Sequence, residues 1–287
     1  MIALLFATPK EASIVSPPLP EPVSCDSPRH MRLQRSEFAG EEVIVLTCGV
    51  GKVAAAAGTM LLLERYRPWV LLVCGTAGAL TPRTGAGDLV LSTALLPGDV
   101  GVAHSGGFGN TGPGVYEEGR VAFSPTFTSP HWLLELAADA ARAAGLPFHL
   151  GPVLTCDQVV LDPELRSHLG EVFQALAVEM EGAAAAQVAM QADVPCMAVR
   201  AISDELGHDF VGMEKLLRYR GQSRRNLWEK RFHLSVSDPG VISRAQELLR
   251  GRDLALANLG RFLETFLPLL CGRGPEDTDA VSTHADT

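Results

Sequence analysis

Between Leu176 and Asp204 the chain gathers carboxylates, a guanidinium and a hydroxyl at the ends of apolar runs. Glu179 and Glu181 flank Met180 just ahead of an alanine-rich, helix-forming stretch that breaks near Asp193 to Pro195. A second apolar run, Cys196 to Val199, then delivers Arg200, Ser203 and Asp204. The pattern predicts strand, helix, strand, with groups able to carry protons or hold charge where α/β proteins place their ligands. The same residues can serve folding alone. Acidic residues opening a helix are favoured by its dipole, and Ser-Asp after a strand is ordinary turn chemistry, so position by itself leaves both uses open.

The elements that must position these groups alternate along the chain. MIALLFATPKEA predicts a buried first strand, and Val43 to Thr47 a second, which runs through Cys48-Gly49-Val50-Gly51-Lys52-Val53 into a helix from Ala54 to Arg65. A phosphate-binding P-loop is excluded there, because the spacing fails GxxxxGK[ST] and no hydroxyl follows the lysine. Trp69 to Cys74 reads as a strand ending in Gly75-Thr76-Ala77-Gly78-Ala79-Leu80, where glycines would let backbone N–H groups approach a ligand. Gly87 to Ser92 adds a turn and strand, Trp132 to Ala144 a helix stopped by Gly145 and Pro147, and Gly151 to Val160 a strand and turn before a short helix opened by Asp162-Pro163-Glu164. Val15 to Arg35 reads as a surface excursion, and Gly98 to Gly119, rich in glycine and poor in apolar anchors, as a mobile loop over a site. Past Asp204, the basic cluster Lys215, Arg218, Arg220, Arg224, Arg225, Lys230 and Arg231 reads as a solvated helix face in preference to an anion or partner site. Arg252 to Leu270 is amphipathic and should pack on the sheet. The expectation is one α/β domain over 1–271, then a polar, acidic, disordered tail over 272–287.

Composition narrows the partners. The 287 residues are 47% hydrophobic and carry a formal net charge of −9, enough to bury a large core and opposed to a general nucleic-acid surface. Six cysteines without a C-x-x-C pair and eight histidines without ligand spacing predict core thiols, no metal and no cofactor. The first residues lack the basic start of a signal peptide, and no apolar run reaches membrane-spanning length. A cytoplasmic protein acting on small molecules, with no nucleic-acid or membrane partner, is the expectation.

Seven blocks occur in one order: LLFATPKEA, LTCGVGKVAAAAGTMLLL, LLVCGTAGAL, GDLVLS, TCDQVV, VEMEG and VRAISD. Together they resemble the purine nucleoside phosphorylase and nucleosidase superfamily, most closely its methylthioadenosine/S-adenosylhomocysteine nucleosidase branch, from Met1 to about Asp204. The resemblance implies a three-layer α/β fold with a central mixed sheet flanked by helices, and cleavage of a purine N-ribosidic bond. It assigns Asp204 as the acid that neutralises the leaving purine, oriented by Ser203, with a pKa raised by burial. Glu11 becomes the base for the attacking water, which Arg200 and Glu181 help to hold. Glu181 also accepts from the ribose hydroxyls, Met180 lines the sugar, Thr76 contacts the pocket, Val50 forms the apolar wall of the 5′ group, and Val159 and Val160 meet the base. The resemblance also implies a homodimer in which a neighbouring subunit closes the 5′ end.

Two departures bear on specificity. Val159 stands where an aromatic residue is expected on the purine, and Thr8 replaces an apolar neighbour of the 5′ group. A longer or anionic 5′ substituent than methylthio, drawn by Arg218, Arg220, Arg224 or Arg225, is the corresponding expectation. The arginine blocks by which hexameric phosphorylases clamp phosphate are replaced by Ala7-Thr8-Pro9-Lys10-Glu11 and Val73, which favours water as nucleophile. The alternatives are a futalosine or adenosylated-lipid nucleosidase, a purine nucleoside phosphorylase, or a non-catalytic nucleoside-binding sensor. Retention of Glu11, Glu181 and Asp204 together weighs against the sensor.

Overall fold

A computed structural model describes residues 1–15, 19–20, 23–105, 107–124, 126–212 and 239–274. The basic cluster from Lys215 to Arg231 and the tail past residue 274 lie outside the described residues. The unalternating apolar runs become central strands, as expected of strands covered on both faces. These are β1 (Ile2–Phe6), β4 (Glu41–Thr47), β5 (Val70–Ala79), β6 (Leu89–Pro97) and β14 (Cys196–Asp204). With β2 (Val23–Cys25), β3 (Arg32–Phe38), β11 (Phe127–Thr128), β12 (Phe148–Thr155) and β13 (Ala177–Glu179) they form a sheet of ten strands ordered β11-β6-β12-β13-β5-β1-β4-β3-β2. β14 pairs with both β5 and β6, so β5, β13, β12, β6 and β14 close into a ring. β4, β1, β5 and β14 run parallel, which brings their carboxyl ends to one edge.

The sheet is mixed and covered on both faces, the expected three layers. Along β1 the period-two alternation sends Ile2, Leu4 and Phe6 to one core and Ala3 and Leu5 to the other. On the first face lie α3 (His131–Ala143) and α6 (Pro239–Arg273); on the second, α2 (Lys52–Tyr66) and α5 (Gly182–Met190). α5 is alanine-rich because it packs closely against α2 and the strands beneath, with Ala183, Ala185, Ala186 and Ala189 all buried. Two short helices, α1 (Pro9–Ala12) and α4 (Pro163–Phe173), follow β1 and β12. α6 is long and apolar enough by length and composition to cross a membrane. Its stripe of Ala255, Leu259, Phe262, Leu263, Phe266 and Leu270 is instead buried in the first core.

Three expectations need correction. β5 continues through the glycines to Ala79 and does not end at Cys74. The stretch Val15 to Arg35 is not all surface excursion, since it holds β2 and the start of β3, an antiparallel edge on β4. RLQRSEF hides that strand because Arg32, Arg35 and Glu37 are exposed and only Leu33 and Ser36, which alternate to opposite faces, are buried. Gly98 to Gly119 is no plain loop: it carries the ribbon β7 (Gly101–His104) with β8 (Gly107–Asn110), and β9 (Gly114–Glu117), which pairs with β10 (Arg120–Phe123). Gly107 and Gly119 turn these ribbons at φ 135° and 86°, conformations that glycine adopts without strain. Among the described residues, none of this segment lines the main cavity.

Candidate active site

The carboxyl ends of β1, β5 and β14 border a cavity of about 280 Å³. Glu11 reaches it from α1, where Thr8 is the N-cap and Glu11 the third helical residue, a reciprocal capping box. One Glu11 oxygen accepts from the Thr8 N–H (3.0 Å) and hydroxyl (2.8 Å); the other accepts from the Thr76 N–H (3.0 Å) and hydroxyl (3.2 Å). Four donors hold this carboxylate, and two of them are hydroxyls free to turn toward another acceptor. Thr76 lies on β5 and lines the cavity.

The motif V-E-M-E divides its two carboxylates. Glu179 sits at the N-terminus of α5 and accepts from the Glu181 and Gly182 N–H groups at 2.8–2.9 Å, while the Thr155 hydroxyl and an Arg200 Nη donate to it as well. Glu181 lines the cavity and accepts from the Gly51 N–H at 2.8 Å. A Glu181 oxygen lies 3.6 Å from Arg200. Burial first, and then the charge of Glu179, push the Glu181 carboxyl up to about 7. Glu181 and, outside the cavity lining, Asp157 therefore supply the caps that α2 lacks: its N-cap is Gly51, without a side chain, and Lys52 N–H donates to Asp157 at 3.3 Å. The Lys52 ammonium pairs with Asp99 and, at 3.3 Å, with Asp157, in keeping with the exclusion of a phosphate loop.

Arg200 was expected to touch the reacting water. It is buried behind the carboxylates, is not among the residues lining the cavity, and has Glu179 as its first partner. Gly75 is required beside it, because a Cβ there would overlap an Arg200 Nη and lie 2.8 Å from a Glu11 oxygen.

Asp204 also departs from expectation. Its Oδ1 accepts from the Ser203 hydroxyl at 2.6 Å, as foreseen, but its Oδ2 lies 2.7 Å from Nη2 of Arg166, a fully buried residue of α4. Val50, Val159, Val160 and Met180 all line the cavity, with Val50 and Val159 more than half exposed. The residues that sequence reasoning missed are Arg166, Glu179 as the anchor of Arg200, and Phe210, Leu248, Leu249 and Arg252 on the cavity wall. A lone arginine inside a helix whose cap is legible carries no mark of burial, and the wall residues Phe210, Leu248, Leu249 and Arg252 belong to no motif that the sequence singled out.

A family model described as Phosphorylase superfamily matches residues 1–219. The 5′-methylthioadenosine/S-adenosylhomocysteine nucleosidase of Tolumonas auensis is 36% identical over 176 residues, covering 60% of this chain and 73% of that relative. Among solved structures, the nucleosidase of that name from Neisseria meningitidis, in complex with methylthio-immucillin-A, is similar with a TM-score of 0.69 at 22% identity, covering 93% of this chain and 97% of the other. Futalosine hydrolase of Helicobacter pylori is similar with a TM-score of 0.70 at 20% identity and the same coverage. These two likenesses concern the fold.

Proposed function

The chain belongs to the phosphorylase superfamily, and from that premise we propose that it hydrolyses the N-ribosidic bond of a purine nucleoside bearing a 5′ substituent of the methylthioadenosine or S-adenosylhomocysteine type. The observation that carries the reading is that Glu11, Glu181 and Asp204, from three different elements, line one cavity. Glu11 is bonded to Thr76, and Asp204 is paired in register with Gly78.

The division of labour follows from the surroundings. Glu11, fixed by two backbone N–H groups, accepts the proton of the attacking water as a threonine hydroxyl turns aside. Glu181 accepts from the ribose hydroxyls, and Met180 packs on the sugar. Arg200 is a positioning residue that pairs with Glu179 and lies 3.6 Å from Glu181, holding both in place. Asp204, oriented by Ser203, serves the imidazole edge of the leaving purine. Phe210 lines the same cavity and offers the aromatic surface that Val159 lacks. Water is the nucleophile because, among the described residues, the cavity's cations already have anions: Arg166 pairs with Asp204, Arg252 with Asp253, and Arg200 behind the wall with Glu179. A phosphate needs fixed cations of its own.

A second copy of the chain completes the molecule in this reading. Val53, Met60, Phe108, Tyr116, Val121 and Phe123 are exposed apolar residues on α2 and the ribbons, a surface of the kind that marks an interface. Sedimentation is expected to give a homodimer, and a fully active monomer would remove the partner. Six unpaired thiols fit a reducing, cytoplasmic location. The function is tested by incubating the protein with a panel of 5′-modified adenosines and inosines, followed by chromatography of base and sugar. Free adenine with a 5-substituted ribose is expected; no base from any member would end the proposal, and preference for inosine-type members would favour the futalosine alternative.

A further inference from the structure

Arg166 is, with Arg200, one of two fully buried arginines among the described residues, yet it belongs to α4, a helix otherwise mostly exposed. Its polar contacts gather at the ends of β5 and β14. Nε donates to the Ala79 carbonyl at 3.0 Å, Nη1 to the Glu205 carbonyl at 3.4 Å, and Nη2 to the Asp204 carbonyl at 3.3 Å and its carboxylate at 2.7 Å. The Phe210 ring covers the guanidinium, 5.4 Å from its centroid. Gly78 leaves the space: a Cβ there would overlap Nη2 and lie 2.9 Å from Asp204 Oδ2. A buried arginine is tolerated only with such partners, so the fold is arranged to present one cation to one carboxylate of the cavity.

We propose, resting on the nucleosidase reading above, that Arg166 is a positioning residue that holds Asp204 as an oriented carboxylate until a purine docks, so that the proton given to the leaving base enters from solvent. The proton balance closes. Asp204 takes one proton from solvent as the base binds and passes it to the base nitrogen as the C1′–N9 bond breaks, the bonding pair leaving with the base. Water forms the new C1′–O bond, and its proton passes through Glu11 back to solvent. The Arg166–Asp204 pair is then restored.

Other charges around this carboxyl come from every neighbouring element. Arg252 lines the cavity from α6; Glu11, Glu179 and Glu181 line it from α1 and around the start of α5. Arg200 of β14 stands behind them, Glu205 is turned to the Ala86 N–H at 3.2 Å, and the His208 ring lies against Phe210, 4.6 Å between centroids. Of these, Arg166 alone contacts the Asp204 carboxylate as an ion pair among the described residues.

The test uses the full chain with carboxyl-labelled aspartate, the Asp204 signal being assigned by its loss in Asp204→Asn. In Arg166→Gln the Asp204 carboxyl is expected to titrate higher than in wild type by about one pH unit or more, and the alkaline limb of kcat/KM for methylthioadenosine to move up with it. Arg166→Lys should restore both toward wild type. Gly78→Ala keeps both charges but displaces the guanidinium, so the same upward movement is expected there, and it decides the matter if Arg166→Gln does not fold. A uniform loss of rate with the Asp204 titration and the pH limb unmoved would mean a purely structural arginine and overturn the proposal. Wild-type protein that releases no base from any nucleoside would refute the nucleosidase reading, while the carboxyl titration would still decide the coupling.

Discussion

Glu181 gives the site a pH signature in folding as well as in catalysis. Its carboxyl is raised from the ordinary 4.5 to about 7, first by burial and then by the charge of Glu179. Between those values the folded chain keeps a proton that the unfolded chain has released, so stability falls as pH rises through this window. Below 4.5 both states carry the proton and the effect vanishes; above 7 it is present in full. At about 1.4 kcal/mol per tenfold change in the proton equilibrium, the charged form costs about 3 kcal/mol. Glu181→Gln copies the neutral form and keeps an oxygen for the Gly51 N–H. The variant is therefore expected to match wild type at pH 4.5 and to be more stable by up to about 3 kcal/mol at pH 8, while losing turnover through its contact with the ribose. The assay is urea denaturation of both proteins at intervals from pH 4.5 to 8. A stability difference that does not change with pH would show that Glu181 ionises normally and refute the reasoning.

Asp204→Asn should leave the fold intact and lower kcat about 100-fold or more, the usual share of acid–base catalysis; near-normal turnover would remove Asp204 from that role. Thr8→Ala removes the N-cap of α1 and should cost about 1 kcal/mol in a denaturation series, with kcat falling because Glu11 loses a donor; unchanged kcat would mean that this contact does not hold the base. Val159→Phe should add an aromatic surface worth roughly 0.5 to 1.5 kcal/mol and lower KM for adenosine-type nucleosides by up to about tenfold. An unchanged KM across the substituent series would show that Phe210 already fills that need.

The strands and helices that carry the site were legible because each has a local cause. β1, β5 and β14 are continuous apolar runs, and α4 opens on the Asp162 cap, whose carboxylate accepts the Leu165 N–H at 2.7 Å. The ordered motifs led to Glu11, Glu181 and Ser203-Asp204, and these meet in one cavity. What stayed hidden depends on distant neighbours. Arg200 reads as a ligand group until Glu179 is found bonded to it, and Arg166 reads as an exposed helical residue until the packing of α4 on the end of β14 brings it to Asp204. The short strands of β3 and the two ribbons were lost for a different reason: their pairing, and not their own apolarity, makes them strands.

The central claim is that water, directed by Glu11, displaces a purine from C1′. Methylthioadenosine is incubated with the protein in ¹⁸O-enriched water, with and without inorganic phosphate, and the products are resolved by mass spectrometry. The account predicts adenine and a 5-methylthioribose labelled at C1 in equal amounts, at a rate that phosphate does not raise and that Glu11→Gln abolishes. An unlabelled sugar 1-phosphate, formed only when phosphate is present, would contradict it.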